Sequence, residues 1–136
     1  MLYVGWTVHN NVVDTAGTGI IIGGGRNNTV YNNHFYNIAK WPVSFDNRGL
    51  TWQSHACTIN GTLMTDLRSF NYTRPPWSVA YPALVNITHE RLCVPQYNVL
   101  YNNSWCNATL GAFVNNVDAN ITEWNSTFYN NYYSCK

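Results

Sequence analysis

The sequence predicts an all-β fold, a parallel β-helix of about four coils, and two observations support this prediction. A motif of an apolar residue, a tyrosine or histidine and two asparagines occurs four times, with the asparagine pairs beginning at residues 10, 32, 102 and 130. Steps of 22 and 28 residues are typical of solenoid repeats, and the step of 70 leaves room for an insertion. The runs between copies, such as residues 20–22 and 43–45, are short, rich in β-forming residues and without helical periodicity.

Each copy of the motif predicts a short strand, a sharp bend and a second apolar residue. The first apolar positions, expected to point inward, are Val8, Val30, Leu100 and Phe128. Asparagine tolerates the left-handed backbone conformation that such a bend needs. In strands stacked about 4.8 Å apart, equivalent asparagines can hydrogen-bond along a column. The predicted asparagine ladder consists of Asn11, Asn33, Asn103 and Asn131.

One segment, residues 53–91, departs from the coil pattern and is interpreted as an insertion in a single domain spanning residues 1–136. Within it, Leu63 and Leu67 have the i, i+4 spacing of a short helical turn, and residues 81–85 predict another. The four cysteines are Cys57, Cys93, Cys106 and Cys135. Pairing 57 with 93 would join the two ends of the insertion and pairing 106 with 135 would join adjacent coils, but this is one of three connectivities.

The composition indicates a secreted glycoprotein. Charged residues make up 10% of the chain and the net charge is +1, which disfavours nucleic acid and anionic membranes as partners. An even number of cysteines is typical of disulfide-bonded secreted proteins. Eight asparagines fit the N-glycosylation pattern, which predicts covalent N-glycans. They are Asn27, Asn60, Asn71, Asn86, Asn102, Asn107, Asn120 and Asn125.

The first residues, MLYVGWTVHNNVVD, have neither a basic start nor the long apolar run of a secretory signal. Because secretion requires such a signal, we expect Met1 not to be the biological start and the chain to be a segment of a longer protein. No run approaches the roughly 20 apolar residues of a membrane span. The open ends of the predicted coils would then be covered by further coils or by another copy of the chain.

Several motifs resemble those of right-handed parallel β-helix proteins of the pectin-lyase-like type. The chain contains GGGRNNTVYNNHFYN, then VSFDNRGLTW, PPWSVAYPAL and VPQYNVLYNN, in the order of a subgroup of that family. The resemblance runs from about Thr7 to Trp105. It implies a right-handed solenoid, but it is weak evidence for activity because this fold is found in lyases, hydrolases, epimerases and non-enzymes.

The resemblance also directs attention to Arg26, Asp46, Arg48 and Trp52 as one neighbourhood. One interpretation is a sugar-binding groove, with Trp52 as a stacking platform and the charged residues as catalytic candidates. The alternative is an Asp–Arg pair that fixes the turn leading into the insertion. Tyr31 and His34 are further carbohydrate-binding candidates, although the repeated tyrosines could equally pack as a column along the sheet.

The acidic residues favour a structural role over catalysis. The chain has only six carboxylates, and no two lie within three positions of each other. Calcium requires 6–8 oxygen ligands, and glycoside hydrolysis requires two nearby carboxylates. We therefore predict no cofactor or metal site and an extracellular structural protein that stacks into a larger assembly. The alternatives are a fragment of a secreted polysaccharide lyase or glycoside hydrolase, and a non-catalytic carbohydrate-binding module that binds a polysaccharide.

Overall fold

The computed structural model describes residues 4–46, 48–108, 114–116 and 125–135. Within these residues, short parallel strands form three sheets. The first sheet contains β1 (Thr7–His9), β4 (Thr29–Tyr31), β7 (Val99–Tyr101) and β10 (Thr127–Tyr129). The second contains β2 (Val12–Ala16), β5 (His34–Ile38), β8 (Ser104–Ala108) and β11 (Tyr132–Tyr133). The third contains β3 (Ile20–Gly23), β6 (Val43–Asp46) and β9 (Val114–Asn116).

The strands follow the sequence repeats. The first repeat provides β1–β3, the second β4–β6, the third β7–β9 and the fourth β10 and β11. Equivalent positions pair directly, so Val8 lies opposite Val30, Val30 opposite Leu100, and Leu100 opposite Phe128. We call these strands together the sheet stack. Its pairing places equivalent residues of all four repeats in columns across the sheets.

Bends at asparagine end the strands of the first sheet after three residues. Asn10, Asn32, Asn102 and Asn130 each have a positive φ, between 52° and 57°. Asparagine adopts this left-handed conformation more readily than most residues because its short polar side chain can hydrogen-bond locally. The first asparagine of each pair therefore turns the chain from the first sheet into the second.

Apolar side chains from all three sheets meet in one core inside the sheet stack. Val30 and Leu100 come from the first sheet, Phe35 from the second and Phe45 from the third, and all are almost fully buried. Removing such a side chain from water contributes about 1.5–3 kcal/mol. The buried members of this core are Ile22, Val30, Phe35, Ile38, Val43, Phe45, Val94 and Leu100.

Residues 48–89, here called the helical segment, separate the second repeat from the third. Its helices are α1 (Thr62–Ser69), α2 (Trp77–Ala80) and 3-10 helices at Arg48–Leu50, Ser54–Cys57 and Pro82–His89. Helix α1 covers the leucine pair whose spacing predicts a helical turn, and the last 3-10 helix has Pro82 in its first turn. The segment packs around a second, small core of Met64, Tyr72, Leu84 and Ile87.

The predicted fold class, an all-β right-handed parallel β-helix of about four coils with a loop and short-helix insertion, is wrong. The described strands form separate small sheets of four, four and three strands, and helices lie between the second and third repeats. The helical segment cannot extend the sheets because Pro75, Pro76 and Pro82 lack the backbone N–H that a sheet ladder requires. Its apolar residues instead form their own core. The fold is mixed, with parallel sheets and helices.

Candidate functional site

Arg26 lies at a junction between the sheet stack and the helical segment. Its side chain is 1% exposed, and its backbone bridges the first and third repeats. The guanidinium forms an ion pair with Glu90, and its second terminal nitrogen donates to the carbonyl of Arg91 at 3.0 Å. The arginine therefore anchors the two residues that follow the helical segment to the stack. Sequence reasoning placed Arg26 beside Asp46, but the structure pairs it with Glu90.

Asp46 and Arg48 form their own pair at the start of the helical segment. Asp46 ends β6, its Oδ1 accepts the backbone N–H of Arg48 at 2.8 Å, and its Oδ2 accepts from the Arg48 guanidinium. The hydrogen bond from Arg48 lowers the pKa of Asp46, and the same contact raises the pKa of Arg48. Asp46 is thus held ionised and paired, an arrangement that fixes the turn.

Trp52 lies next to this pair and is 68% exposed. The Cζ atom of Arg48 is 5.8 Å from the centroid of the Trp52 ring, a cation–π distance. Asp46, Arg48 and Trp52 are therefore connected in one surface unit, while Arg26 belongs to a separate ion pair. A sugar ring could stack on the exposed indole, and the neighbouring guanidinium could donate to its hydroxyls.

A column of aromatic rings runs across the first sheet at equivalent positions of the repeats. The ring centroids of His9 and Tyr31 are 4.8 Å apart, and those of Tyr31 and Tyr101, and of Tyr101 and Tyr129, are 5.0 Å apart. The planes differ by 6° or less. Burial, and secondarily its tyrosine neighbours, raise the pKa of Tyr101. Both faces of Tyr31 are covered, so a ligand could reach only its edge and hydroxyl.

His34 lies on the second sheet, where its Nδ1 is hydrogen-bonded to the Ser104 hydroxyl. The two residues are register partners on β5 and β8, and Ser104 is buried. The His34 ring also contacts Tyr36 edge-on, at 4.0 Å between centroids. A serine–histidine contact can generate a nucleophile only where a third group orients the base and the hydroxyl is accessible. The contact between His34 and Ser104 is a cross-strand side-chain pair between β5 and β8.

The asparagines predicted to form a ladder are hydrogen-bonded to one another across the four repeats. The backbone N–H and Nδ2 of Asn11 donate to Asn33 Oδ1 at 3.1 and 3.0 Å. Asn33 donates in the same way to Asn103 Oδ1, at 3.0 Å in both cases, and Asn103 to Asn131 Oδ1 at 3.0 and 2.9 Å. The side-chain oxygens of Asn33, Asn103 and Asn131 therefore each accept two bonds from the preceding repeat.

A second ladder, which sequence reasoning missed, occupies another corner of the stack. The backbone N–H of Trp6 donates to Asn28 Oδ1 at 3.0 Å, that of Asn28 to Asn98 Oδ1 at 3.1 Å, and that of Asn98 to Ser126 Oγ at 3.2 Å. A signal was present, because these residues all lie four positions before the asparagine pair of their repeat. The polar residues in three of the four copies could have identified it.

The buried asparagines of the ladders and the candidate glycan acceptors are different residues, and they differ in solvent exposure. Asn28, Asn33, Asn98 and Asn103 are buried ladder residues, and none starts a glycosylation pattern. Every described acceptor is exposed; these are Asn27, Asn60, Asn71, Asn86, Asn102, Asn107 and Asn125. Asn120 lies outside the described residues. Glycans at the seven described positions would extend into solvent.

Two disulfides connect cysteines distant in sequence. Cys57 joins Cys93, with 5.8 Å between Cα atoms, and Cys106 joins Cys135, with 4.9 Å. This is the connectivity considered from the sequence, and it is compatible with a secreted or extracellular protein. In the described part of the chain, every helix is too short or too polar to cross a membrane. The same residues contain no group of three or more His, Cys, Asp or Glu that could hold a metal.

Comparison with known proteins does not identify a family. No family model, curated protein or solved structure matches the chain. The resemblance to pectin-lyase-like proteins therefore stays a prediction from sequence motifs.

Proposed function

We propose that the protein is an extracellular, N-glycosylated structural protein whose copies associate head to tail through the first and fourth repeats. Two disulfides and the exposure of every described acceptor asparagine support the extracellular glycoprotein. With 10% charged residues and a net charge of +1, copies repel one another little, and glycans would maintain their solubility.

The observation that carries the association is the direction of the asparagine ladder. Each repeat donates two hydrogen bonds to the asparagine oxygen of the next repeat. Among the described residues, the backbone N–H of Asn131 has no acceptor and Oδ1 of Asn11 has no donor. A second copy docked with its first repeat on the fourth repeat would join these groups and continue the ladder.

The ends of the aromatic column complement each other in the same way. His9 and Tyr129 are the terminal rings, each stacked on one neighbour. The first repeat also exposes Val12 and Ile21, at 69% and 53%. A strand edge that exposes apolar side chains is suited to strand pairing. A head-to-tail contact that does not close into a ring produces a filament.

Sedimentation of the secreted full-length protein over a range of concentrations tests this association. We expect Val12→Lys to weaken it at least about tenfold, because a charge on an edge strand opposes pairing. Val79→Lys is the matched control, since Val79 is 75% exposed but lies on α2. A wild-type protein that stays monomeric at every concentration would contradict the proposal, whether the outer edge of β1 is left free or covered by further coils of the same chain.

A second candidate function is carbohydrate binding at the Asp46–Arg48–Trp52 unit. The supporting observation is a 68% exposed indole beside a guanidinium. Binding on a glycan array that Trp52→Ala abolishes, with unchanged thermal stability, would support it. The enzymatic alternative gains no such support, because Asp46 and Arg26 are engaged in separate ion pairs.

A further inference from the structure

The helical segment carries an exposed group of aromatic rings. Phe70 is 62% exposed and Trp77 41%, and their ring centroids lie 6.4 Å apart at an interplanar angle of 73°. Trp77 also stacks on Tyr81, at 6.5 Å and 22°. Contiguous exposed apolar side chains usually mark a surface that something covers. We call Phe70, Trp77 and Tyr81 the aromatic rim.

A small cavity lies beneath the aromatic rim. Its volume is about 220 Å³, and its walls include Leu67, Tyr72, Leu84 and the three rim residues. Pockets for drug-sized ligands start at about 300 Å³. The cavity therefore fits a small apolar group, such as one face or the acetyl methyl of a single sugar, better than a larger ligand.

An acceptor asparagine lies directly beside the rim. Asn71 follows Phe70, begins the pattern Asn-Tyr-Thr, and is exposed. Its backbone is fixed at φ 51°, since its N–H donates to the carbonyl of Arg68 at 2.9 Å and its carbonyl accepts from Arg74 N–H at 3.0 Å. Among the described residues, its side-chain amide makes no hydrogen bond. In contrast, Nδ2 of the acceptor Asn107 donates to Asn37 at 2.8 Å.

We propose that the first sugar of an N-glycan on Asn71 packs against the aromatic rim and covers the cavity. Attachment forms a bond between Asn71 Nδ2 and C1 of N-acetylglucosamine, displaces the diphosphate of the lipid-linked sugar donor and releases one proton from Nδ2. The C–H face of the sugar then contacts Phe70 and Trp77, and its hydroxyls point to water. This inference rests on the proposed N-glycosylation and assigns one glycan a stabilising role.

The anchoring of Asn71 explains why the glycan would stabilise the folded state. The two backbone hydrogen bonds of Asn71 fix the backbone to which the sugar is attached. Little additional conformational entropy of the chain is therefore lost when the sugar contacts the rings. In the folded protein, the sugar would shield the exposed apolar area of Phe70 and Trp77 from water. In the unfolded chain, the same sugar has no ordered rim to contact.

A double-mutant cycle on the secreted full-length glycoprotein tests the proposal. Thr73→Ala removes the glycan without changing Asn71, whose positive φ disfavours other residues. We expect it to lower Tm by about 4 °C, but by about 1 °C or less in a Phe70→Ala background. Thr62→Ala is the control, because it removes the glycan from Asn60 and should leave Tm nearly unchanged. Nuclear Overhauser effects between labelled N-acetylglucosamine and the rim rings should disappear in Thr73→Ala.

Mass spectrometry of each acceptor peptide separates the outcomes. If Asn71 is unmodified while other acceptors carry glycans, this inference is overturned and the glycoprotein proposal stands. Equal losses of Tm in Thr62→Ala and Thr73→Ala, or an occupied Asn71 without sugar–ring contacts, would also overturn it. If no acceptor is modified, both proposals fail.

Discussion

The sheet stack and the helical segment are stabilised in different ways. In the stack, every repeat contributes the same interactions to its neighbours, namely in-register strand pairs, asparagine ladders and stacked rings. The helical segment has a core of four buried residues, a disulfide from Cys57 to Cys93, and the ion pair of Glu90 with Arg26. The stack depends on repetition, whereas the segment depends on a few individual attachments.

This difference should appear in how the two regions respond to mutation. A ladder residue is hydrogen-bonded to the repeats on both sides, so its loss affects the whole stack. The disulfide and the ion pair of the helical segment each join only two residues. Loss of either one should therefore let the helical segment unfold locally while the sheet stack stays folded. Three predictions test this contrast, in order of decreasing expected effect.

Replacing Asn103 with alanine should cause the largest loss of stability. Asn103 is fully buried, donates to Val30 O and Asn131, and accepts two bonds from Asn33. Its removal leaves buried backbone groups without partners, so we expect the free energy of unfolding to fall by about 4 kcal/mol. Urea unfolding measures this change.

The control for this prediction is Asn32→Gly. Asn32 is exposed, and its φ of 53° is readily adopted by glycine. We expect its free energy of unfolding to change by about 0.5 kcal/mol or less. Similar losses in the two variants would show that the ladder is not what holds the repeats together.

Removing the Cys57–Cys93 disulfide should have an intermediate and local effect. The two cysteines are 36 residues apart, and a disulfide typically contributes about 2–4 kcal/mol. In the variant with both cysteines changed to serine, hydrogen exchange should accelerate in α1 and α2 and stay slow in β4 and β5.

Replacing Cys106 and Cys135 by serine provides a matched comparison, because that disulfide spans a similar 29 residues. Cys106 belongs to β8 in the second sheet, and Cys135 follows β11. We expect faster exchange in β11 and unchanged protection in the helical segment. If both double variants lose protection in the same amides, the two regions unfold as one unit.

The smallest expected effect is a pH dependence that arises from Asp46. Because Arg48 lowers the pKa of Asp46 in the folded state, the pair stabilises the protein above the unfolded pKa of about 3.9. This contribution is lost as the pH falls through the lower, folded-state pKa. Acid titration of stability should therefore differ between wild type and Asp46→Asn, and the difference should shrink below about pH 4. Asp66→Asn, which removes an exposed carboxyl on α1, is the control for the loss of one negative charge.

Features that repeat in the sequence were the ones that could be predicted. Asn33 and Asn103 are 70 residues apart, yet the motif around each identifies them as equivalent, and they are hydrogen-bonded. The second ladder, with Asn28 and Asn98, repeats at the same spacing of 70 residues, so the sequence carries the same kind of signal for it. The helical turns at residues 63–67 and 81–85 were also predicted from the sequence. The separate core in which they pack was not predicted, because the helical segment has no equivalent elsewhere in the chain.

The sequence by itself determined the repeated, short-range properties of this protein. It specified the strand length set by asparagine bends, the residues that occupy equivalent positions and the exposed acceptor patterns. Only the tertiary structure decided that Arg26 pairs with Glu90 and that Phe70, Trp77 and Tyr81 form one rim beside Asn71. These contacts depend on the path by which the helical segment returns to the sheet stack. Because the helical segment occurs only once in the sequence, no repeated pattern predicts that path.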